Sequence, residues 1–143
     1  MEVNLRFDRN MRIIGTNRLG LETVFDTSPE VGGEHTAPAP METFLMAMGA
    51  CTFMDVLSIL RKKRKTISGM NIKISAQRAP EHPKVFVKAH LVYELVSPDA
   101  TIDDLNRSVE LSQSKYCSAS AMFKLAGCEV TWETVLKKPE ETV

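Results

Sequence analysis

The stretch that decides the fold runs from Pro38 to Lys65 and reads PAPMETFLMAMGACTFMDVLSILRKKRK. It carries the signals of one long helix. Pro40 suits the first turn because its missing N–H costs nothing there, Glu42 follows at the positive end of the helix dipole, and five cations occupy the negative end. Apolar residues cover nearly the whole circumference between these ends, and a helix that is apolar all round is typically buried on all sides. We therefore expect the rest of the chain to wrap this helix.

The length of this helix would also allow it to span a membrane. However, Asp55 lies near its centre, where an ionised carboxylate would be costly in a bilayer, and the hydrophobic content of the chain, 43%, is ordinary. We expect a core helix and no membrane partner. The first residues, Met1 to Phe7, contain no apolar segment of the kind found in signal peptides, which predicts a cytoplasmic location.

Composition narrows the classes of function. The chain has 143 residues, which fits a single domain over 1–143, and its 18 basic and 18 acidic side chains give a net charge of zero. A nucleic-acid-binding protein normally has a basic excess, so we expect no nucleic-acid partner. The cysteines lie at positions 51, 117 and 128, with no C-x-x-C spacing. In a reducing compartment such residues are free, catalytic or metal-binding thiols.

The segments around the long helix predict an α+β fold. Three short alternating segments precede it, and two longer alternating segments follow it. Thr101 with Asp104 resembles a capping box at the start of an amphipathic helix, and a short helix over 118–126 then leads to a last strand. Strands bunched in antiparallel groups favour α+β over alternating winding. One small sheet and one helix cannot cover a helix that is apolar all round, so we expect an obligate homodimer with a large apolar interface.

The three cysteines differ in their sequence context. Cys51 lies in the middle of the long helix, where a buried cysteine is often only a small hydrophobic residue. Cys117 lies at a junction between two helices, where the free N–H groups of the second helix would stabilise a thiolate, although an unreactive junction residue fits equally well. Cys128 alternates with Val130 and Trp132 on an apolar strand face, which predicts an inert core residue.

Two motifs resemble the OsmC/Ohr family: Ala37–Glu42 leading to Gly49–Thr52, and Ser114–Ser118 around the second cysteine. The similarity extends over essentially the whole chain and its order of elements. The resemblance implies an intertwined α+β homodimer that reduces organic hydroperoxides with thiols. Cys51 would attack the peroxide and Cys117 would resolve the product as a disulfide. The partners would be a small-molecule hydroperoxide and a dithiol reductant, with no cofactor.

The start of the helix departs from the family pattern. Hydroperoxide reductases of this family place a glutamate directly after the helix-starting proline, whereas here Met41 follows Pro40 and the acid is Glu42. One residue on a helix is about 100° of rotation. The Met-Glu pair resembles a less characterised branch of the family. The same enzymes use an arginine from the N-terminal strands to activate the thiolate, and the candidates here are Arg18 first and Arg12 second.

An organic hydroperoxide requires an apolar pocket, and flexible methionine side chains suit a variable apolar ligand. The candidate lining residues are Met46, Met48, Phe53, Met54 and Met122, each of which would also fit an ordinary core. Two other functions remain open. One is a non-enzymatic module that senses redox state or binds an apolar ligand. The other is a metal site formed by Cys51, Cys117 and His35 or His90, but no ligand spacing indicates one, and we expect no metal.

Overall fold

The computed structural model describes residues 1–142, with the side chains of residues 1–140. The chain forms two compact units, a first over Met1–Met46 and a second that begins at Ala47. The first unit contains one antiparallel sheet in the order β1-β2-β3. Its strands are β1 (Val3–Arg9), β2 (Arg12–Asn17) and β3 (Glu22–Phe25). Short turns join them, and these turns use the positive φ angles of Asn10 (49°) and Gly20 (78°).

A buried carboxylate organises the loop between β3 and the long helix. Asp26 accepts hydrogen bonds from the backbone N–H of Thr27 (2.8 Å), from the N–H of Thr36 (3.0 Å) and from the Thr36 hydroxyl (2.6 Å). The N–H of Glu34 also approaches it, at 3.3 Å. The bonds from Thr36 are the main reason that the pKa of Asp26 lies far below its ordinary value. The loop contains one 3₁₀ turn, Pro29–Val31, and the carboxylate binds backbone N–H groups on both sides of that turn.

The long helix α1 (Pro40–Lys62) is buried along one stripe only. Its buried residues are Met48, Gly49, Thr52, Val56 and Leu60. Within the single chain the expected burial on all sides is therefore wrong, because Phe44, Met46 and Met54 are exposed. By length and composition α1 could cross a membrane, a test that the core helices of soluble proteins also pass.

The second unit contains a mixed sheet in the order β4-β5-β6. Its strands are β4 (Gly69–Arg78), β5 (Phe86–Val96) and β6 (Glu129–Lys137). β4 and β5 are antiparallel, as expected, but β6 is parallel to β5, which corrects the expectation of purely antiparallel sheets. The reason is that two helices, α2 (Ile102–Leu111) and α3 (Ser118–Leu125), carry the chain back between these strands. The α+β class is confirmed.

One face of β5 provides the core of this unit, with Leu91, Tyr93 and Leu95 fully buried. α1 approaches the sheet closely at Gly49, where a Cβ atom would lie 2.6 Å from Cδ1 of Ile74 on β4. Glycine thus lets the helix backbone lie against the strand. The buried stripe of α1 and the inner face of the sheet are thereby placed to share one core.

The capping box predicted for α2 is confirmed. The Thr101 hydroxyl accepts from the backbone N–H of Asp104 (3.1 Å), and the Asp104 carboxylate accepts from the backbone N–H of Thr101 (3.0 Å). α2 does not continue to Lys115 as an ordinary helix. Ser112–Tyr116 forms a π turn, closed by the hydrogen bond from the Cys117 N–H to the Ser112 carbonyl (2.8 Å). Cys117 is then the N-cap of α3.

Candidate thiol site

The second unit brings two thiols together. Cys51 lies in the middle of α1, and Cys117 lies between the π turn and α3. Their side chains lie near enough to interact, because Cys51 is among the groups that raise the pKa of Cys117. Both are free thiols; Cys51 is partly exposed, whereas Cys117 is only 3% exposed. The pair therefore has one sulfur open to solvent and one enclosed.

The Cys117 sulfur has donors of its own. As the N-cap of α3 it accepts from the backbone N–H of Ser120, at 3.3 Å. Burial raises the pKa of Cys117, the Ser120 hydroxyl and N–H lower it, the contact with Cys51 raises it again, and the net direction is upward. Cys117 is therefore a protonated thiol at neutral pH, with donors already in place for a thiolate.

A cation that interacts with Cys117 could not be identified from the sequence alone. Lys124 on α3 is half-buried, donates to the Gln113 carbonyl (2.6 Å) and lies over the Trp132 ring, 5.5 Å from its centroid. Burial lowers the pKa of Lys124, and the neighbouring Cys117 raises it. The sequence signal that could have identified Lys124 is its spacing, because positions 117, 120 and 124 lie on one helix face.

Buried hydroxyls form a chain beside the thiols. Thr52 Oγ1 lies 2.8 Å from the Tyr93 hydroxyl and 2.7 Å from Ser112 Oγ, and the Ser112 hydroxyl donates to Asp55 (2.9 Å). An ionised carboxylate only accepts, so Ser112 donates to Asp55, Thr52 to Ser112 and Tyr93 to Thr52. Gln113 Nε2 donates to the Tyr93 oxygen at 2.7 Å. The hydroxyl chain ties α1, β5 and the π turn together and so fixes the separation of the two thiols.

The pKa of Tyr93 is consistent with this structural role. Burial raises the pKa of Tyr93, whereas its bonds with Thr52 and Gln113 lower it, and the net direction is upward. Tyr93 therefore stays a neutral hydroxyl under physiological conditions and acts as a fixed hydrogen-bonding group.

The predicted activating residues lie in the first unit and are not brought together there. Arg18 is exposed in the turn after β2 and has no hydrogen-bond or ion-pair partner among residues 1–140. Glu42 is engaged locally and accepts from the backbone N–H of Ala39, at 2.9 Å. Arg12 is occupied as well, because it pairs with Asp8 (3.0 Å) and donates to Thr36 (2.7 Å).

The candidate lining residues occupy different environments. Met48 is fully buried, Phe53 is half-buried, and Met46, Met54 and Met122 are exposed. Met54 lines a groove of about 420 Å³ on α1, together with Leu57, Ser58, Arg61 and Lys62. This groove is apolar at one end and cationic at the other.

Within the described part of the chain, no group of three or more His, Cys, Asp and Glu side chains is placed to hold a metal ion. His90, one of the alternative ligands, lies on β5, where its Nδ1 is 2.7 Å from the Thr131 hydroxyl. Cys128 is buried on the chain leading into β6, and burial raises its pKa.

Comparison with known proteins defines the class. A family model described as OsmC-like protein matches residues 32–133, and the chain belongs to this family. The protein YhfA of Escherichia coli K12 is 31% identical over 126 residues, which cover 88% of this chain and 91% of YhfA. These matches confirm the family that the sequence motifs indicated.

Solved structures show the same fold. A hypothetical protein from Aquifex aeolicus VF5 has a TM-score of 0.79 at 29% identity, covering 95% of this chain and 96% of the other. An organic hydroperoxide resistance protein OsmC from Legionella pneumophila has a TM-score of 0.65 at 15% identity, covering 94% and 95%. The predicted OsmC-like fold is confirmed.

Proposed function

We propose that this protein reduces organic hydroperoxides with two thiols, Cys51 as the attacking thiol and Cys117 as the resolving thiol. The observation that carries the proposal is that Cys51 and Cys117 lie near enough to interact, one partly exposed and one enclosed. Family membership supports it, since a structural relative from Legionella pneumophila is named as an organic hydroperoxide resistance protein.

The proposed reaction has three steps. The Cys51 thiolate attacks the terminal oxygen of R–O–OH, the O–O bond breaks, and Cys51 becomes a sulfenic acid while RO⁻ takes a proton and leaves as ROH. The Cys117 thiolate then attacks the Cys51 sulfur and displaces hydroxide, which takes a proton and leaves as water. An external dithiol finally supplies two electrons and reduces the disulfide to the two starting thiols.

The test is peroxide consumption by the purified protein with cumene hydroperoxide and dithiothreitol, with metal content measured in parallel. We expect turnover by the wild type and by the control Cys128→Ser, and none by Cys51→Ser. Cys117→Ser should form a sulfenic acid at Cys51 that dimedone traps. A wild-type protein that consumes no peroxide, or whose Cys51 stays unreactive while Cys117 is oxidised, contradicts the proposal. An inactive protein with reversible thiols would be a redox sensor or a binder of apolar ligands.

Three further predictions accompany this function. We propose a homodimer, because α1 leaves apolar side chains such as Phe44 and Met54 exposed in the single chain. We propose that residues 1–143 act as a single OsmC-like domain, which is supported by structural matches over 95% of the chain. The cytoplasmic location also remains a prediction.

A further inference from the structure

The two sulfurs of the thiol site differ in access. Disulfide exchange requires a thiolate to reach one sulfur and expel the other. Cys117 is 3% exposed, enclosed between the π turn and α3, whereas Cys51 is partly exposed on α1. An external thiol therefore reaches Cys51 more readily than Cys117.

The surroundings of the Cys117 sulfur also bear on its departure as a thiolate, because they partly offset the cost of its burial. Ser120 donates its backbone N–H to the Cys117 sulfur, at 3.3 Å. Its hydroxyl is fully buried beside Cys117, lowers the pKa of that thiol and has no hydrogen-bond partner in the usual distance range among residues 1–140. A buried hydroxyl without a conventional partner is costly, and a thiolate at Cys117 would satisfy it.

Lys124 adds a positive charge that favours a thiolate at Cys117. It lies one helical turn after Ser120, its position is fixed by the Gln113 carbonyl and the Trp132 ring, and it interacts electrostatically with Cys117. In the part of the second unit that the structure describes, no backbone N–H or hydroxyl donates to the Cys51 sulfur. Expelling Cys117 thus places the new negative charge where donors and a cation already lie, although the site is buried.

We propose that the dithiol reductant attacks the Cys51 sulfur and that Cys117 leaves, with Ser120 and Lys124 as the positioning residues that set this direction. The inference rests on the proposed function. A reductant thiolate forms a bond to Cys51, the Cys51–Cys117 bond breaks, and Cys117 departs as a thiolate with the electron pair. The second thiol of the reductant then attacks its own sulfur in the mixed disulfide, forms a cyclic disulfide and releases Cys51 as a thiolate.

The direction can be tested without peroxide. The full-length protein is oxidised with diamide, freed of the oxidant, treated briefly with glutathione and quenched with acid. The freed thiols are then capped with N-ethylmaleimide, and the peptides are mapped by mass spectrometry. We expect glutathione on Cys51 and N-ethylmaleimide on Cys117. Glutathione mainly on Cys117, or failure of diamide to form the Cys51–Cys117 disulfide, overturns the inference. Loss of peroxide turnover with the expected labelling would instead count against the proposed function only.

Variants test the positioning residues. Ser120→Ala and Lys124→Met should each slow reduction of the disulfide by dithiothreitol about tenfold at pH 7 and lower the fraction of glutathione on Cys51. Lys124→Arg keeps the charge and should restore the rate, which a purely structural role of the side chain would not produce. The matched controls are Ser108→Ala, a buried hydroxyl on α2 bonded to the Asp104 carbonyl, and Lys137→Met, whose lysine pairs with Glu94. Wild-type rates for both Ser120→Ala and Lys124→Met overturn the assignment, provided that their unfolding midpoints match the controls.

Discussion

Cys51 lies far from the N-terminus of α1, where the influence of the helix dipole has faded. A cation close to a thiol favours its thiolate form. Lys124 interacts with the other thiol. A cation that activates Cys51 would therefore be a different residue, and Arg18 remains the first candidate from the sequence.

We expect Arg18→Ala to slow alkylation and peroxide oxidation of Cys51 at pH 7 by about tenfold. The reason is that a rise of one unit in the thiol pKa corresponds to about 1.4 kcal/mol and reduces the thiolate fraction tenfold. Iodoacetamide labelling followed by peptide mapping measures this rate. Arg6→Ala is the matched control, because Arg6 is exposed in the same unit and pairs with Glu22. Equal rates for Arg18→Ala and the wild type would make Arg18 only a turn residue.

Asp26 should make the stability of the fold depend on pH in the acid range. Its pKa is depressed in the folded chain, chiefly by the bonds from Thr36. A depressed carboxyl pKa contributes stability that is fully present above the unfolded pKa of about 3.9 and is lost as the pH falls toward the folded pKa. We expect Asp26→Asn to be less stable than the wild type at pH 7 and to lose less stability between pH 5 and pH 2. Urea unfolding across that range measures both effects. Glu30→Gln, an exposed change in the same loop, should behave as the wild type, and an unchanged pH profile for Asp26→Asn would contradict this account.

The sequence predicted those residues whose role depends on their neighbours along the chain. Cys117 at a helix start and Thr101 with Asp104 could be identified from neighbouring positions. Lys124 and Tyr93 could not be assigned to the site, because their partners are distant in the sequence and depend on how helices pack on the sheet. Glu42, a candidate from the sequence, accepts from the backbone N–H of Ala39, a partner close to it along the chain.

At the scale of elements, the contact between α1 and β4 sets how close a helix backbone can approach the sheet. Gly49→Ala would gain helix propensity of about 1 kcal/mol, but its Cβ would lie 2.6 Å from Ile74 Cδ1. Overpacking typically costs about 1–3 kcal/mol, so we expect the substitution to destabilise the wild type. The cost should fall by at least about 1 kcal/mol in the Ile74→Val background, which lacks that methyl group. Urea unfolding of the two single variants and the double variant measures the coupling, and additive effects would show that the two side chains do not compete for space.

The order of elements was predictable, whereas one pairing was not. Alternation of apolar residues located the strands, and burial alternates along β5 in the structure. Alternation does not encode strand direction, however. The parallel pairing of β6 with β5 follows from a crossover built by α2 and α3 together.

At the scale of the whole molecule, the exposed apolar side of α1 is the main argument for a second copy of the chain. Met54 is 69% exposed in the middle of this helix. We expect Met54→Glu to convert a stable dimer to monomers, because a charge in the centre of an apolar interface would lose its hydration. Sedimentation velocity measures the change. Leu125→Glu, at a residue that is 88% exposed near the end of α3, is the matched control and should leave the dimer intact. A wild-type protein that is monomeric at micromolar concentration would contradict the prediction.

The π turn between α2 and Cys117 contains one residue more per turn than an α-helix would. The thiol pair therefore depends on the length of the chain at this point as well as on the chemistry of its residues. Removing a single exposed residue such as Ser114 would let α2 continue as an α-helix and rotate everything after it by about 100°. Both cysteines would still be present, but Cys117 would face away from Cys51. A comparison of relatives by their cysteines alone would miss this loss, whereas the number of residues between Thr101 and Cys117 would reveal it.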